Sequence, residues 1–416
     1  MNSHRQFWHV VGSGTAFQAG SSAVDSATVM SALVFQLTGS PVAVGAVPSI
    51  LRLGWLLPQI VVGYLAGKGG ASMPFYAVGA FGRTAAIAIL AFVLWAGAAA
   101  DWPLAILGAA TLALWTIYAF LSGIVGVPYN DIVARAVASR MRSRVLALRF
   151  FGGGLVALAV AALADRLIRT IEFPLSYAAI LGVAALLMLA SSIIFVVMGE
   201  PARSDKPKAP ADFAAYLREG IATFRENSVF RRFVYAQWCG GAVLAAAPFF
   251  VVAAESLGVG FENIAVLLGA QTIGALVTNP LWGWWGDRLG KLSLMRAIAV
   301  ARIAPPSLLV LLTVFPAPAG VALPLLAGVF FVLGALTNGL TIAVIGLLMG
   351  ISPGERRPAY SGYFNSLTAP AFILPLLGGG VVAFSGTGVV FAASAAAAIG
   401  QALLLARIVL PDTTPN

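Results

Sequence analysis

The chain has 416 residues, of which 60% are hydrophobic and 10% are charged, and its formal net charge is +10. A soluble domain has about 25% charged residues, and no fold of this length hides so large an apolar fraction from water, so the composition excludes a soluble protein. Cys239 is the one cysteine, which excludes an intrachain disulfide, and His4 and His9 are the only histidines, so neither a metal site nor a cofactor is expected.

Twelve hydrophobic runs are long enough to cross a membrane, because a helix spanning about 30 Å of hydrocarbon needs about 20 mostly apolar residues. They lie near 9–36, 41–66, 73–98, 103–128, 145–165, 174–198, 230–254, 263–285, 292–315, 321–350, 359–384 and 388–410. We therefore predict an all-α polytopic membrane protein with twelve transmembrane helices. The first run is much longer than the hydrophobic part of a signal peptide, so no cleavable signal is expected.

One long polar stretch, 199–229, divides these runs six and six. We predict an N-terminal six-helix bundle at 1–198, a linker at 199–229 that contains a short amphipathic helix, and a C-terminal six-helix bundle at 230–416. Two six-helix repeats are common among transporters.

The Lys and Arg residues lie between hydrophobic runs rather than along one polar face, so no nucleic-acid-binding surface is expected. Nearly all of them fall in the loops of one side, and the other side has only Arg166 and Arg169. The excess of positive charge marks the cytoplasmic side. We expect both termini and the linker to be cytoplasmic, in a plasma (inner) membrane.

Four charged residues fall inside predicted spans: Asp25 in span one, Arg52 in span two, Arg83 in span three and Arg302 in span nine. Such residues are costly in lipid and are candidates for a functional site. At 1.5 Å per residue, Asp25 and Arg52 lie at nearly the same depth on either side of the first hairpin, and Arg83 also lies near mid-membrane. This predicts a buried cluster in which a neighbouring arginine holds Asp25 charged. Asp25 then acts in proton coupling or substrate binding, or else forms a static ion pair.

Arginine binds carboxylate or phosphate through a two-pronged fork. Three mid-membrane arginines against one aspartate predict an electropositive cavity that favours an anionic substrate. Arg83 and Arg302 occupy similar places in the two repeats, which is equally consistent with a structural role.

The sharpest motif is NPLWGWWGDRLGK, between spans eight and nine. Its pattern residues are Gly283, Gly286, Asp287, Arg288, Gly290 and Lys291. The chain here resembles the major facilitator superfamily, whose signature loop joins the second and third helix of each half. In the first-half loop, GYLAGKGG, Gly67 stands where that family usually has aspartate. The segment QLTGSPVAVGAVPSI resembles the first hairpin of macrolide-efflux and siderophore exporters of this family.

Glycines in such a loop allow two helices to turn closely, and Asp287 is able to accept hydrogen bonds from a neighbouring helix N-terminus. We predict a gate on the cytoplasmic side that holds one conformational state. A plain solvated turn is the alternative.

The resemblance implies that the first, fourth, seventh and tenth helices line a central cavity. The polar and aromatic candidates on those helices are Gln18, Ser22, Thr28, Trp115, Tyr118, Ser122, Tyr235, Trp238, Asn338 and Thr341. Ordinary packing and an interfacial aromatic belt are the alternative reading of each. Drug–proton antiporters of the family usually have arginine in helix four and a Gly-Pro pair in helix five, and both are missing from the corresponding spans.

We expect a secondary active transporter, not an enzyme, that moves a small organic, anionic solute by alternating access. Proton coupling and export are favoured, the latter from the first-hairpin resemblance. Its partners would be the solute, a proton or other cation, and lipid, and the protein would be a monomer. An uncoupled facilitator or uptake carrier, and a non-transporting receptor or assembly protein with a transporter fold, remain alternatives.

Overall fold

The computed structural model describes residues 3–67, 71–137, 141–202, 213–315, 318–352 and 357–409. These ranges form helices joined by short turns, and they contain no strand. The helices of the first half are α1 (Ser3–Ser22), α2 (Val29–Thr38), α3 (Pro41–Gly67), α4 (Met73–Ala99), α5 (Leu104–Ala136), α6 (Arg142–Thr170) and α7 (Leu175–Val197). The predicted short helix of the linker is α8 (Phe213–Glu226). The helices of the second half are α9 (Ser228–Leu244), α10 (Phe249–Ser256), α11 (Ile264–Arg288), α12 (Lys291–Ala301), α13 (Ala304–Val314), α14 (Ala319–Ile351), α15 (Arg357–Thr368), α16 (Leu374–Ser385) and α17 (Thr387–Ala406).

Eleven described segments are long and apolar enough to cross a membrane. The first crossing is divided between α1 and α2, and neither helix alone meets both criteria. With this divided crossing the predicted set of twelve is accounted for, and the all-α membrane fold is confirmed.

Four crossings are interrupted near their middle. The first breaks between α1 and α2, the seventh between α9 and α10, and the ninth between α12 and α13, while a 3-10 turn at Ala369–Ile373 separates α15 from α16. Proline explains three of these, because Pro248, Pro305 and Pro375 each stand at or next to the start of the following helix, where their missing amide is no loss. The break in the first crossing contains no proline, so it needs another cause.

The two halves pack closely at the face where α3 begins and α16 ends, which is the face away from the chain termini. Ser49 Oγ accepts a hydrogen bond from the amide of Leu376 at 3.2 Å. Gly45 lies so close to the carbonyl of Pro375 that a side chain there would overlap it, and a Cβ on Gly379 would lie 2.5 Å from the carbonyl of Pro41. We call this contact between α3 and α16 the far seal.

Replacing Gly45 with valine is expected to open the far seal, since the added side chain overlaps backbone atoms that cannot move aside cheaply. Val47, which is fully buried in the same helix, provides a reporter as Val47→Cys in a Cys239→Ser background. We expect a membrane-impermeant maleimide to label this cysteine at least roughly tenfold faster in Gly45→Val, the change that a shift of about 1.4 kcal/mol in the open–closed equilibrium produces. Gly328→Val is the matched control, because nothing lies within 4 Å of a Cβ at that position. Equal labelling rates in the two variants would contradict the role of the seal.

Candidate functional site

A cavity of about 520 Å³ lies inside the first half, and every residue that lines it comes from positions 13 to 191. Three arginines face it, Arg52 from α3, Arg83 from α4 and Arg149 from α6, together with the single carboxylate of Asp25. Tyrosine, tryptophan and serine side chains supply most of the remaining wall. We call it the arginine cavity.

Arg83 is the most deeply buried of the three arginines in this cavity. Its side chain is 5% exposed, and its guanidinium carbon lies 3.9 Å from the centre of the Phe17 ring. It forms no hydrogen bond or ion pair with the described residues, and its Nε is buried without a partner. Burying a charge without a partner costs several kcal/mol. The arrangement therefore favours an anion that would supply the missing acceptors.

Arg302, which stands at the corresponding place in the second half, is in a different environment. It is 6% exposed and donates to Gln401 Oε1 at 2.9 Å and to the carbonyl of Gly240 at 3.1 Å. These neutral oxygens from α17 and α9 solvate the guanidinium at the break between α12 and α13. The sequence left a functional and a structural role open for both arginines. In the structure Arg302 ties three helices together, whereas Arg83 has no hydrogen-bond or ion-pair partner among the described residues.

Asp25 occupies the break in the first crossing and explains it. Its Oδ1 accepts hydrogen bonds from the amides of Ala27 and Thr28, at 3.0 and 2.9 Å, and from Thr28 Oγ1 at 2.8 Å. An aspartate that bonds its own backbone two and three residues on ends one helix and starts the next. Oδ2 takes part in none of these bonds.

The predicted ion pair between Asp25 and an arginine is wrong for this conformation. Among the described residues, no nitrogen of Arg52 or Arg83 lies within ion-pair distance of the carboxylate. The prediction treated the first crossing as one continuous helix, in which Asp25 would need a cation. The break instead gives the carboxylate two backbone amides at the start of α2 as hydrogen-bond donors.

A second cavity of about 230 Å³ lies between the halves. Asp25, Ser26 and Arg52 line both cavities, so the two are neighbours that share one wall. Arg52 is exposed to this space, and its guanidinium lies 5.8 Å from the ring centre of Phe372, which belongs to the second half. We call this space the interface cavity. Arg52 and Asp25 stand where the two cavities meet.

Arg149 was not singled out from the sequence, yet it is central to the cavity. Its NH1 donates to the hydroxyl of Tyr129 at 3.0 Å, and its guanidinium lies 5.5 Å from that ring and 5.8 Å from the ring of Phe150. Its Nε is buried without a partner. Gly14 of α1 leaves the room for its stem, because a Cβ there would overlap it. The available signal was a basic residue followed directly by two phenylalanines near the start of a span.

The three candidates of the fourth crossing lie together in the wall of one cavity. Trp115, Tyr118 and Ser122 all line the arginine cavity. Trp115 and Tyr118 stack with ring centres 4.9 Å apart, and Trp115 Nε1 donates to the carbonyl of Val47 at 2.9 Å. These contacts hold both rings in place in the wall of the arginine cavity.

The candidates of the first crossing lie elsewhere, since Gln18, Ser22 and Thr28 line neither cavity. Gln18 packs against Gly153 of α6, Ser22 Oγ donates to the carbonyl of Ala19 at 2.7 Å, and Thr28 bonds Asp25. Gln18 and Ser22 belong to α1, whose cavity-facing positions are neighbouring ones such as Phe17 and Ser21, and Thr28 lies in the break itself. The serines that do line the arginine cavity from this crossing are Ser13, Ser21 and Ser26.

The second-half candidates also miss both cavities: Tyr235, Trp238, Asn338 and Thr341. Trp238 Nε1 donates to the carbonyl of Leu367 at 3.0 Å, and the ring of Tyr235 meets that of Phe224 edge-on at 5.6 Å. Neighbours within about one turn line the interface cavity instead, among them Gly241, Leu244, Thr337 and Leu340. The sequence therefore predicted the right helices but the wrong face of each, because residue spacing alone does not show which face of a helix points into a cavity.

The gate motif forms a tight turn. Arg288 ends α11, Gly290 has φ +86°, a value that favours glycine, and Lys291 begins α12. Asp287, whose side chain is 77% exposed, pairs with Lys291 Nζ at 2.8 Å rather than with the amides of a neighbouring helix. An exposed pair of this kind contributes little to stability. In the first-half loop, Gly67 ends α3 and Lys68 lies outside the described residues.

Asp287 was predicted to accept hydrogen bonds from the N-terminus of a neighbouring helix. Glu200 makes contacts of this kind instead, at the start of α4. Its Oε1 accepts from the amide of Ser72 at 3.0 Å and its Oε2 from the amide of Met73 at 2.8 Å, at the start of α4. Arg135 of α5 bridges Glu200 at 2.7 Å and Asp131 at 2.6 Å. Burial alone would raise the pKa of Glu200, but the two amides and Arg135 outweigh it and hold the pKa below its ordinary value. Glu200 thus joins the ends of α4, α5 and α7.

Replacing Glu200 with glutamine is expected to lower the free energy of unfolding at pH 7 by about 1 kcal/mol, after discounting for partial exposure to solvent. Because the pKa of Glu200 is depressed in the folded state, its contribution is full above the unfolded value near pH 4.5 and is lost as the pH falls below it. Melting temperatures of both proteins between pH 7 and pH 4 should therefore converge on acidification. Asp165→Asn, which breaks the exposed pair with Arg169, is the control and should cost close to nothing. A gap between wild type and Glu200→Gln that stays constant with pH would contradict the assignment.

Residues 239–416 match the family model described as Major Facilitator Superfamily. A search of curated proteins finds no significant match. Solved structures match over nearly the whole length: a point mutant of the nucleoside transporter NupG at TM-score 0.73 and 15% identity, covering 97% of this chain and 99% of that one; a D-xylose-proton symporter at 0.69 and 15%, covering 97% of each; and a bacterial homologue of the iron transporter ferroportin in an outward-facing state at 0.64 and 16%, covering 97% and 99%. The family model thus covers the second half of the chain, and the chain as a whole shares the fold of these membrane transporters.

Proposed function

We propose that the protein carries a small organic anion through the membrane by alternating access, coupled to the movement of a proton. The arginine cavity is the substrate site and Asp25 is the coupling carboxylate. The observation that carries the proposal is Arg83, a buried guanidinium that has an aromatic ring beneath it and no acceptor among the described residues.

The charge of the cavity supports an anionic substrate. Arg52, Arg83 and Arg149 stand against Asp25 alone, and the hydrogen bonds of Asp25 are already made to backbone amides and Thr28. A carboxylate or phosphate that enters would meet donors in fork geometry, the pairing that arginine makes most strongly. The tyrosine and tryptophan walls would pack against the organic part of such a ligand.

The hydrogen bonds of Asp25 support a coupling role. A proton can bind at Oδ2 without breaking the three bonds made by Oδ1, so the turn would persist in both protonation states. The other titratable or charged groups around this space are Arg52, Arg83, Arg149, Tyr76, Tyr118 and Tyr129. Neutralising Asp25 makes the surrounding field more positive, and an anion nearby makes protonation easier.

Proton and anion would therefore bind together. The anion raises the affinity for the proton, and the proton raises the affinity for the anion by the same factor. This favours symport, in which an inward proton gradient drives uptake, over the export expected from the first-hairpin resemblance. Because the far seal is closed, the substrate site in this state would be reached from the face where the chain termini lie. Opening of the far seal would then give access from the opposite face.

The test is transport by the purified protein in liposomes. Uptake of labelled organic anions and of uncharged analogues would be measured with and without an inward proton gradient. We expect the gradient to accelerate uptake of anions and the lumen to acidify with it. Equal transport of the uncharged analogues, or no response to the gradient, would overturn the proposal.

A further inference from the structure

We propose that the substrate is amphipathic, with its anionic head among the arginines of the arginine cavity and its apolar tail in the interface cavity. This rests on the proposed function, because it assumes that Arg83 binds the anion. It adds the chemistry of the rest of the molecule and a reason why one ligand would engage both halves.

The two cavities meet at a common wall. Asp25, Ser26 and Arg52 line both of them. A molecule whose charged end contacts Arg83 can therefore extend past Arg52 into the second space without leaving the protein.

The walls of the interface cavity fit a hydrocarbon. Six apolar side chains of the second half line it, namely Val243, Leu244, Phe250, Leu333, Leu336 and Leu340. No such run of aliphatic side chains lines the arginine cavity, which has Leu51, Val24 and Val125 scattered among polar groups.

Three polar side chains in the second-half wall of the interface cavity, those of Arg302, Ser394 and Thr337, are hydrogen-bonded to the protein itself. Arg302 donates to Gln401 and to the carbonyl of Gly240. Ser394 Oγ donates to the carbonyl of Val243 at 3.0 Å, and Thr337 Oγ1 donates to the carbonyl of Leu333 at 2.8 Å. Groups that are already hydrogen-bonded gain little from a polar ligand. Burial of apolar ligand surface is therefore the main favourable contribution in the interface cavity.

A ligand seated in this way would touch both halves. The residues of the arginine cavity all belong to the first half, whereas the aliphatic wall belongs to the second. A ligand shifts a conformational equilibrium only by its differential affinity for the two states. The tail supplies such a difference, since it makes its contacts only when the halves are arranged around the interface cavity. A head without a tail would bind to the first half alone.

The experiment measures binding of straight-chain carboxylates from acetate to decanoate to the protein in lipid nanodiscs. Tryptophan fluorescence is the readout, since Trp55 and Trp115 line the arginine cavity, and empty nanodiscs correct for partition into lipid. We expect affinity to rise about fourfold with each methylene, the transfer free energy of one buried CH₂ expressed as a binding ratio, and to level off once the tail fills the space.

Ala247→Phe fills the interface cavity without changing the arginine cavity. We expect it to bind acetate as wild type does and to lose the gain with chain length. Acetate binding in this variant also reports that the fold is intact. Octanol, which has a tail and no charge, is expected to bind weakly and independently of Arg83.

Two failures are distinguishable. If affinity is flat with chain length, or rises equally in Ala247→Phe, the tail site is refuted while Arg83-dependent binding of acetate would leave the proposed function standing. If acetate and decanoate both bind Arg83→Ala as well as they bind wild type, the anion site itself is refuted, and this inference falls with it.

Discussion

Arg83→Ala is expected to lower the rate of anion uptake into liposomes roughly 100-fold at a substrate concentration below KM. Removing one partner of a buried, hydrogen-bonded charge pair costs about 2–5 kcal/mol, and Arg52 and Arg149, which line the same cavity, would make up only part of that loss. Arg83→Lys keeps the charge and loses the planar fork, so we expect it to recover only part of the activity, with a loss of about tenfold. The measurement is the initial uptake rate against substrate concentration for the three proteins. Uptake by Arg83→Ala within about threefold of wild type would contradict a binding role.

The change in melting temperature distinguishes a binding arginine from a structural one, because the two are expected to change it in opposite directions when replaced. Without substrate, the charge of Arg83 is buried and has no ion-pair partner among the described residues. Arg83→Met should therefore leave the melting temperature unchanged or raise it, because an apolar chain of similar length replaces this charge. Arg302→Met, the matched variant from the second half, should lower it, because Gln401 Oε1 and the carbonyl of Gly240 lose their donor. A similar drop in both variants would mean that Arg83, too, is structural.

The crossings could be predicted from the sequence because lipid imposes one dominant requirement, a run of about 20 apolar residues. The third span, expected at 73–98, is α4 at Met73–Ala99, and the fourth lines the arginine cavity with Trp115, Tyr118 and Ser122 as expected. In a continuous helix, residues three or four apart lie on the same face, so the sequence spacing shows which side chains point the same way. Arg83 could be found for the same reason, since counting residues along an unbroken helix measures depth.

The misses share a physical cause, which is dependence on contacts that periodicity does not record. The break at Asp25 is made by one carboxylate and two amides, and it engages Thr28 in the turn rather than in a cavity wall. Glu200 acts on α4 through two backbone amides far from it along the chain. Arg149 stands near the start of a crossing, where depth alone marks no residue as costly.

The break in the first crossing, which helical periodicity did not predict, leaves Asp25 able to bind a proton without first losing a partner. A carboxylate paired with arginine must lose its partner before it binds a proton, whereas Asp25 has Oδ1 engaged by Ala27 and Thr28 and Oδ2 outside those bonds. Asparagine retains an acceptor oxygen for the amides and removes the titratable group, so it separates the two roles. Alanine removes both.

Asp25→Asn is therefore expected to abolish proton-driven accumulation of the anion while preserving exchange of anion across the membrane. With one proton carried per monovalent anion, wild type should concentrate the substrate about tenfold per unit of pH difference, since each unit supplies about 1.36 kcal/mol per proton. Asp25→Asn should only equalise the two sides, and its exchange rate should not vary with pH. Asp25→Ala should also lose about 1 kcal/mol of stability with the loss of the cap. Accumulation by Asp25→Asn against a concentration difference would show that the proton moves elsewhere, because no other carboxylate among the described residues lines either cavity.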